Sequence, residues 1–240
     1  MSSETGDTEP HVQSALALLR QASALAPAAF SCSFGAEDMV LLDLLRRHDL
    51  PIAVFTLDTG RLPEETYALM QQVEQVYGRC YETFYPDTSA VQTLVRERGI
   101  NGFYESIENR KACCQVRKVE PLRRALAGRR AWVTGRRAQQ SATRTDLAAR
   151  ERDEDLQVDK FNPLHDWSEQ QVWQYIRANG VPYNALHDRH YPSIGCAPCT
   201  RAIAVGEDVR AGRWWWENPE TKECGLHPSR PVAVPVRAVA

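Results

Sequence analysis

The sequence predicts an α/β protein: a mostly parallel sheet with helices on both faces. Three observations carry that prediction. Short apolar runs ending in turn residues alternate with longer amphipathic stretches, the pattern of strands alternating with helices. The strand runs are short and apolar and bounded by turn signals, as expected of strands buried in a covered parallel sheet. The length of 240 residues, 43% of them hydrophobic, fits one large domain or one domain with an appendage.

Residues 1–27 are expected to form an N-terminal helical segment, residues 28–205 the α/β domain and residues 206–240 a C-terminal segment. Ala28 to Phe34 and Ile52 to Leu57 read as the first two strands, the second ending at Asp58-Thr59-Gly60. Between and after them, Ala36 to His48 places Val40, Leu41, Leu44 and Leu45 on one helical stripe. Pro63 to Tyr77 does the same with Leu69, Met70, Val73, Val76 and Tyr77. Pro63, followed by Glu64 and Glu65, suits a helix start. Ala131 to Thr134, ending at Gly135, and Gln157 to Phe161, ending at Asn162-Pro163, read as two further strands. A last helix begins near Ser168, where Gln171 completes a capping-box pattern, and stops at Gly180 before Pro182.

In such sheets ligands sit beyond the carboxyl ends of the strands. That rule selects the turn from Ser31 to Asp38 and the turn Leu57-Asp58-Thr59-Gly60. Small residues and free backbone N–H groups at a helix start can hold an anion, although Glu37 and Asp38 would repel a phosphate that they faced.

The net charge is −2. It conceals a basic stretch from Arg110 to Arg152, with 13 Lys and Arg against three acids, Glu120, Asp146 and Glu151. A concentrated positive region in a near-neutral chain suggests an anionic ligand. No apolar run approaches the ~20 residues of a membrane span, and Met1 to Pro10 is polar and acidic. The expectation is a cytoplasmic protein without a membrane partner. Thiols stay reduced there, and seven cysteines cannot close into a full disulfide set, so they point to metal binding or catalysis.

Four of them form a split set: the vicinal pair Cys113-Cys114 and the pair Cys196 and Cys199 in Cys196-Ala197-Pro198-Cys199. A single tetrahedral zinc prefers ligands two to four residues apart, because neighbouring side chains point in different directions. An iron–sulfur cluster offers a separate iron to each thiolate, so adjacent cysteines can both serve. The pattern therefore favours a [4Fe–4S] cluster over zinc. Cys32 and Cys80 read as core residues. Cys224 stands apart in a polar C-terminal stretch, and Lys222 and His227 nearby favour its thiolate, the nucleophilic form. The run Trp214-Trp215-Trp216 cannot all face one core; packing of the C-terminal segment is the favoured reading over closure on a nucleotide.

Taken together, these residues resemble the assimilatory adenylyl-sulfate (APS) reductases, relatives of the phosphoadenylyl-sulfate (PAPS) reductases within the PP-loop adenine-nucleotide hydrolase-like fold. The resemblance covers roughly residues 28 to 228. Its motifs are Ser33-Phe34-Gly35-Ala36-Glu37-Asp38, Leu57-Asp58-Thr59-Gly60, Lys111-Ala112-Cys113-Cys114 with Lys118, and Thr134-Gly135-Arg136-Arg137 with Ser141 and Arg144. Asn162-Pro163-Leu164, Gly195-Cys196-Ala197-Pro198-Cys199 and Lys222-Glu223-Cys224-Gly225-Leu226-His227 complete them.

The resemblance implies one [4Fe–4S] cluster per chain on Cys113, Cys114, Cys196 and Cys199. It implies that Cys224 attacks the sulfur of APS, expels AMP and carries an S-sulfonate, from which thioredoxin releases sulfite. Lys118, Arg210, Arg213 and His227 would contact the phosphosulfate, with Arg137 and Arg144 also at the anion. Ser33, Phe34 and Gly35, with Asp58, Thr59 and Gly60, would hold adenine and ribose. Since Cys224 must meet first the substrate and then thioredoxin, residues from about Arg210 to His227 are expected to move between closed and open positions. A homo-oligomer is compatible with the sequence.

Three alternatives have separate signatures. PAPS reduction would need room for a 3′-phosphate. A PP-loop ATP pyrophosphatase or thiolation enzyme would need a Ser-Gly-Gly-x-Asp-Ser loop, whereas the turn here is Ser33-Phe34-Gly35-Ala36-Glu37-Asp38. A nucleic-acid-binding module would use the basic stretch but leave the cysteines unexplained, so no nucleic-acid partner is expected.

Overall fold

The computed structural model describes residues 9–140 and 147–218. Its centre is a six-stranded sheet in the order β3-β2-β1-β4-β6-β5. The strands are β1 (Ala28–Ser31), β2 (Ala53–Leu57), β3 (Glu82–Phe84), β4 (Ala131–Val133), β5 (Arg150–Asp153) and β6 (Val158–Phe161). All neighbours run parallel except β5, which pairs antiparallel with β6 at the edge. The helices are α1 (Glu9–Ala24), α2 (Ala36–Arg47), α3 (Glu64–Tyr77), α4 (Thr88–Arg98), α5 (Ile107–Cys114), α6 (Glu120–Leu126) and α7 (Glu169–Asn179).

The sheet is covered on both faces, as the strand pattern predicts. Phe30, Val54, Val133 and Phe161 pack with buried residues of α1, α2, α3 and α7 in one cluster. Their sequence neighbours Ala29, Phe55 and Trp132, with Val158, pack against Leu122, Ala125 and Leu126 of α6 on the other face. This is the period-two alternation of a strand, with both faces apolar. Helix α1 contributes Ala15, Leu16, Leu19 and Ala22 to the first cluster and so shares the core of the α/β unit.

Several boundaries differ from expectation for local reasons. Strand β1 ends at Ser31 rather than Phe34: Cys32 N–H makes a last bond to Phe55 O, Ser33 N–H turns to the Asp38 carboxylate, and Phe34 has φ +59°. Pro63 caps α3 instead of opening it, a one-residue difference. Cys80 lies just before β3 and is partly buried against the core, while Cys32 is fully within it. The capping box of α7 forms as read, with Ser168 and Gln171 bonding reciprocally and Gly180 closing the helix at φ +62°. Strand β5 escapes the sequence pattern because Arg-Glu-Arg-Asp is wholly charged, as befits an edge.

The chain runs outward from β1 to β3 and then returns to β4 on the other side of β1. The direction of strand order therefore reverses between β1 and β4, which marks the crevice where ligands bind in open α/β sheets. Among the described residues no helix is long and apolar enough to cross a membrane.

Candidate active site

At that crevice lies a cavity of about 670 Å³. The turn after β1 supplies Ser33, Gly35, Glu37 and Asp38, the turn after β2 supplies Thr59, and the turn after β4 supplies Thr134, Gly135, Arg136 and Arg137. Phe55, Leu57, Leu122 and Trp132 give it an apolar wall. Lys118, Arg210 and Arg213 line it as well. Apolar walls with a few convergent polar groups are what a small-molecule site requires.

Asp38 binds the two turns together. Its carboxylate accepts from both the backbone N–H and the hydroxyl of Ser33, each at 2.6 Å, and from the Gly135 N–H. A side chain at position 135 would overlap this carboxylate, which explains the glycine. Burial pushes Asp38 up to about 6 despite the Ser33 bonds that oppose it. Glu37 meets the Arg137 guanidinium at 2.8 Å, with both side chains largely buried. The two acids therefore serve the loops rather than confronting a phosphate, and Arg137 shares its charge with Glu37.

Not every expected residue faces the cavity. Phe34 packs in the core, edge-on to Tyr81 at 5.3 Å. Asp58 accepts from Gly60 N–H at 2.8 Å and Tyr67 O–H at 2.9 Å, and Gly60 adopts φ +69°. These three shape the wall from behind. Arg144, Ser141, Cys224 and His227 lie outside the described residues.

The four cysteines of the split set line one second, small cavity, together with Arg61, Arg110, Arg117, Lys118 and Trp214. Two structural features bring them there. Helix α5 ends at Cys114 and continues as a π-helical turn, Gln115–Val119, before α6. In addition, Cys196-Ala197-Pro198-Cys199 is clamped by Ala197 N–H to Arg61 O at 2.8 Å and Tyr104 O–H to Pro198 O at 2.7 Å. Thr59 Oγ1 lies 3.2 Å from Cys196 Sγ, and Arg117 Nη1 donates to Thr59 O at 2.7 Å.

Burial alone would raise the Cys196 thiol, but Lys118, the Thr59 bond, Arg213 and Arg117 together hold it below its ordinary value. Burial and the neighbouring Cys196 push Cys199 up to about 12. Among the described residues no group of three or more His, Cys, Asp or Glu is arranged for a single metal ion. The donor set nevertheless suits an anionic multi-iron group: four sulfurs around one space, cations on its walls, and a buried Trp214 Nε1 without a hydrogen-bond partner beside it.

Lys118, Cys196 and Trp214 line both cavities and form the partition between them. The tryptophan run divides accordingly: Trp214 is buried, whereas Trp215 and Trp216 stack with Tyr104 on the protein's flank. Packing thus accounts for Trp214 and in part for Trp216, while Trp215 stays exposed. The basic stretch also separates. Arg110, Arg117, Lys118, Arg136 and Arg137 reach the two cavities, while Arg124 pairs with Glu120, and Arg150 and Arg152 with Asp159. Sequence reading gave no role to Arg117, Arg110 and Glu217, and read Asp38 only as a charge that would repel a phosphate in the turn after the first strand.

Fold and site define an α/β protein with a ligand cavity at the strand-order reversal and a four-cysteine centre behind it. Residues 27–202 match the model of the phosphoadenosine phosphosulfate reductase domain. The chain is 61% identical over 211 residues to an adenosine 5′-phosphosulfate reductase of Allochromatium vinosum, covering 86% of this chain and 82% of that one. It is 53% identical over 211 residues to the protein of the same name from Burkholderia cepacia, covering 88% and 84%. A crystal structure of phosphoadenylyl-sulfate reductase from Candida auris in complex with phosphate superimposes with a TM-score of 0.67 at 30% identity, covering 79% and 90%. The chain belongs to the phosphoadenosine phosphosulfate reductase family. Yeast FAD synthetase shares the fold alone, at 14% identity and a TM-score of 0.58 over 84% of this chain and 69% of that one.

Proposed function

We propose that the protein reduces adenosine 5′-phosphosulfate to sulfite and AMP in sulfate assimilation. The observation that carries this reading is the partition: a nucleotide-sized cavity meets a four-cysteine centre across Lys118, Cys196 and Trp214. Its relatives at 61% and 53% identity bear the name of that reductase.

The apolar wall around Leu57, Leu122 and Trp132 receives adenine, and the Ser33 and Gly135 turns receive ribose. Lys118, Arg210 and Arg213 face the phosphosulfate, where negative charge grows as AMP departs. Cys224 is the nucleophile and His227 its neighbour at the anion. The thiolate bonds to the sulfonyl sulfur, the sulfur–oxygen bond to AMP breaks, and AMP leaves with the electron pair. A dithiol of the thioredoxin class then attacks Cys224 Sγ; sulfite departs with the electron pair, and the second thiol of the donor closes its own disulfide, supplying two electrons. Arg144 joins Arg137 near the anion in this reading.

Cys113, Cys114, Cys196 and Cys199 would hold one [4Fe–4S] cluster, which would supply fixed charge to the site and tie α5 to the Cys196 loop. The reaction belongs to a reducing, cytoplasmic compartment, and residues 206–240 deliver the nucleophile while 28–205 bind the nucleotide. The test uses purified, iron-containing protein with APS and a thioredoxin. Sulfite and AMP should form one to one, and PAPS should turn over more slowly. Cys224→Ser should abolish turnover while iron content is unchanged; full turnover by that variant would sink the mechanism.

A further inference from the structure

Arg110 and Glu217 form a buried, two-pronged ion pair, with Nε to Oε1 at 2.8 Å and Nη2 to Oε2 at 2.7 Å. Their side chains are 1% and 2% exposed. Arg110 also bonds Cys114 in the cysteine cavity, but neither Arg110 nor Glu217 lines the nucleotide cavity. Trp214 joins the pair to the substrate cavity: its ring centroid is 4.8 Å from the Arg110 guanidinium and 4.8 Å from that of Arg213.

Trp214 has φ +42°, a left-handed backbone that a bulky residue does not adopt unaided. The surroundings must impose it. Glu217 N–H bonds Trp214 O at 2.8 Å, Trp214 N–H bonds Cys199 O at 3.1 Å, and the Glu217 carboxylate is fastened to Arg110 of α5. This turn sends Arg213 toward the substrate cavity, where its guanidinium reaches Ile194 O at 3.2 Å. There it lies against Gly195, at which any side chain would overlap it.

We infer that Arg110 and Glu217 are positioning residues: their ion pair holds the strained turn at Trp214 and thereby aims Arg213 at the anionic group of the nucleotide. The inference rests on the proposed substrate class but assigns work to two residues that touch no substrate. Without the pair, residue 214 relaxes to a negative φ and Arg213 withdraws from the cavity. The loss falls on ligands that carry a phosphate and spares the nucleoside.

The experiment compares AMP and adenosine binding by calorimetry in the wild type, Glu217→Gln and Arg110→Lys, each checked for folding by circular dichroism and for iron content. Lysine keeps the charge but cannot make the two-pronged contact. The expected result is an AMP affinity lowered about tenfold, the scale of one charged contact, with adenosine affinity within about twofold of wild type. Equal weakening of both ligands would show general damage to the cavity and overturn the inference, as would unchanged AMP affinity in a folded variant. Should Glu217→Gln fail to fold, Arg110→Lys decides by the same criteria. A wild type that does not prefer AMP to adenosine would instead overturn the substrate reading.

Discussion

Asp38 shows how much one carboxylate can decide. It accepts three hydrogen bonds from two loops that meet at the strand-order reversal, so its ionised form ties together two turns that line the nucleotide cavity. With burial raising it from 3.8 to about 6, protonation falls within an accessible range. As pH drops through about 6, one oxygen becomes a donor and Ser33 or Gly135 loses its acceptor. Adenosine, which has no phosphate to titrate, should therefore bind about tenfold more weakly at pH 5 than at pH 7.5. Asp38→Asn should bind weakly at both. A flat adenosine affinity across this range in the wild type would contradict the role. Stability runs the other way. A folded-state value raised above the unfolded one means that this group's contribution is full below about pH 4 and is lost as pH rises through about 6. At pH 7.5 Asp38→Asn should then lose binding with little loss in denaturation midpoint. The sequence displayed Asp38 but not its partners, since Gly135 is supplied by a strand far along the chain.

At the scale of elements, the segment from α5 to α6 places the vicinal cysteines. Pro121 has no N–H and its ring would collide with the Arg117 carbonyl in a continuous α-helix. The π turn accommodates it: Glu120 N–H reaches back to Gln115 O, and the extra residue turns α5 about its axis relative to α6 by about 100°. Cys113, Cys114, Arg117 and Lys118 face the cysteine cavity as a result. Pro121→Ala permits a regular α-helix and should weaken iron retention at the proposed cluster about 10–100-fold, the usual cost of disturbing the groups that orient metal ligands. Iron per chain and visible absorption after dialysis against a chelator measure it; undiminished iron would argue that the turn is incidental. The spacing of the cysteines was legible in the sequence, whereas the π turn was not. A helical register is read from apolar periodicity, and this segment has little: only Arg110 and Cys114 of α5 are buried. The short strand β3 was read only loosely, as a strand around Cys80, and the charged β5 not at all, for lack of an apolar pattern to mark them.

The whole molecule is held by a second carboxylate, away from the site. Asp43 on α2 accepts from Tyr175 of α7 at 2.7 Å, from Tyr77 of α3 at 2.9 Å and from Arg47 at 2.7 Å. It is 1% exposed, and it ties three helices together over one face of the sheet. Replacement by Ala deprives the buried Tyr175 hydroxyl and the partly buried Tyr77 hydroxyl of their acceptor, while Arg47 keeps Asn179 O. Asp43→Ala should cost about 2–4 kcal/mol in urea denaturation, mostly from the tyrosine hydroxyls left without an acceptor, while the folded fraction keeps wild-type adenosine affinity. A comparable loss of binding in the folded protein would show that this network also shapes the site. The described part of the C-terminal segment belongs to the same fabric. Arg201 N–H bonds Gly212 O, Thr200 bridges Arg213, and Glu217 is fastened to α5. Arg213 and Glu217, described residues of the segment expected to carry Cys224, are thus fastened to the rest of the fold.

By itself the sequence determined the alternation of strands and helices, the caps of α7 and the inventory of thiols, because each rests on neighbours within a few residues. It also displayed the motifs through which the family is read. Only the tertiary structure decided that, among the described cations between Arg110 and Arg152, Arg110, Arg117, Lys118, Arg136 and Arg137 face a cavity whereas Arg124, Arg150 and Arg152 pair with acids elsewhere. The physical reason is distance along the chain. Arg137 meets Glu37 across 100 positions and Arg110 meets Glu217 across 107. A charge acquires its role from whatever the fold brings to it, and no local pattern records that pairing.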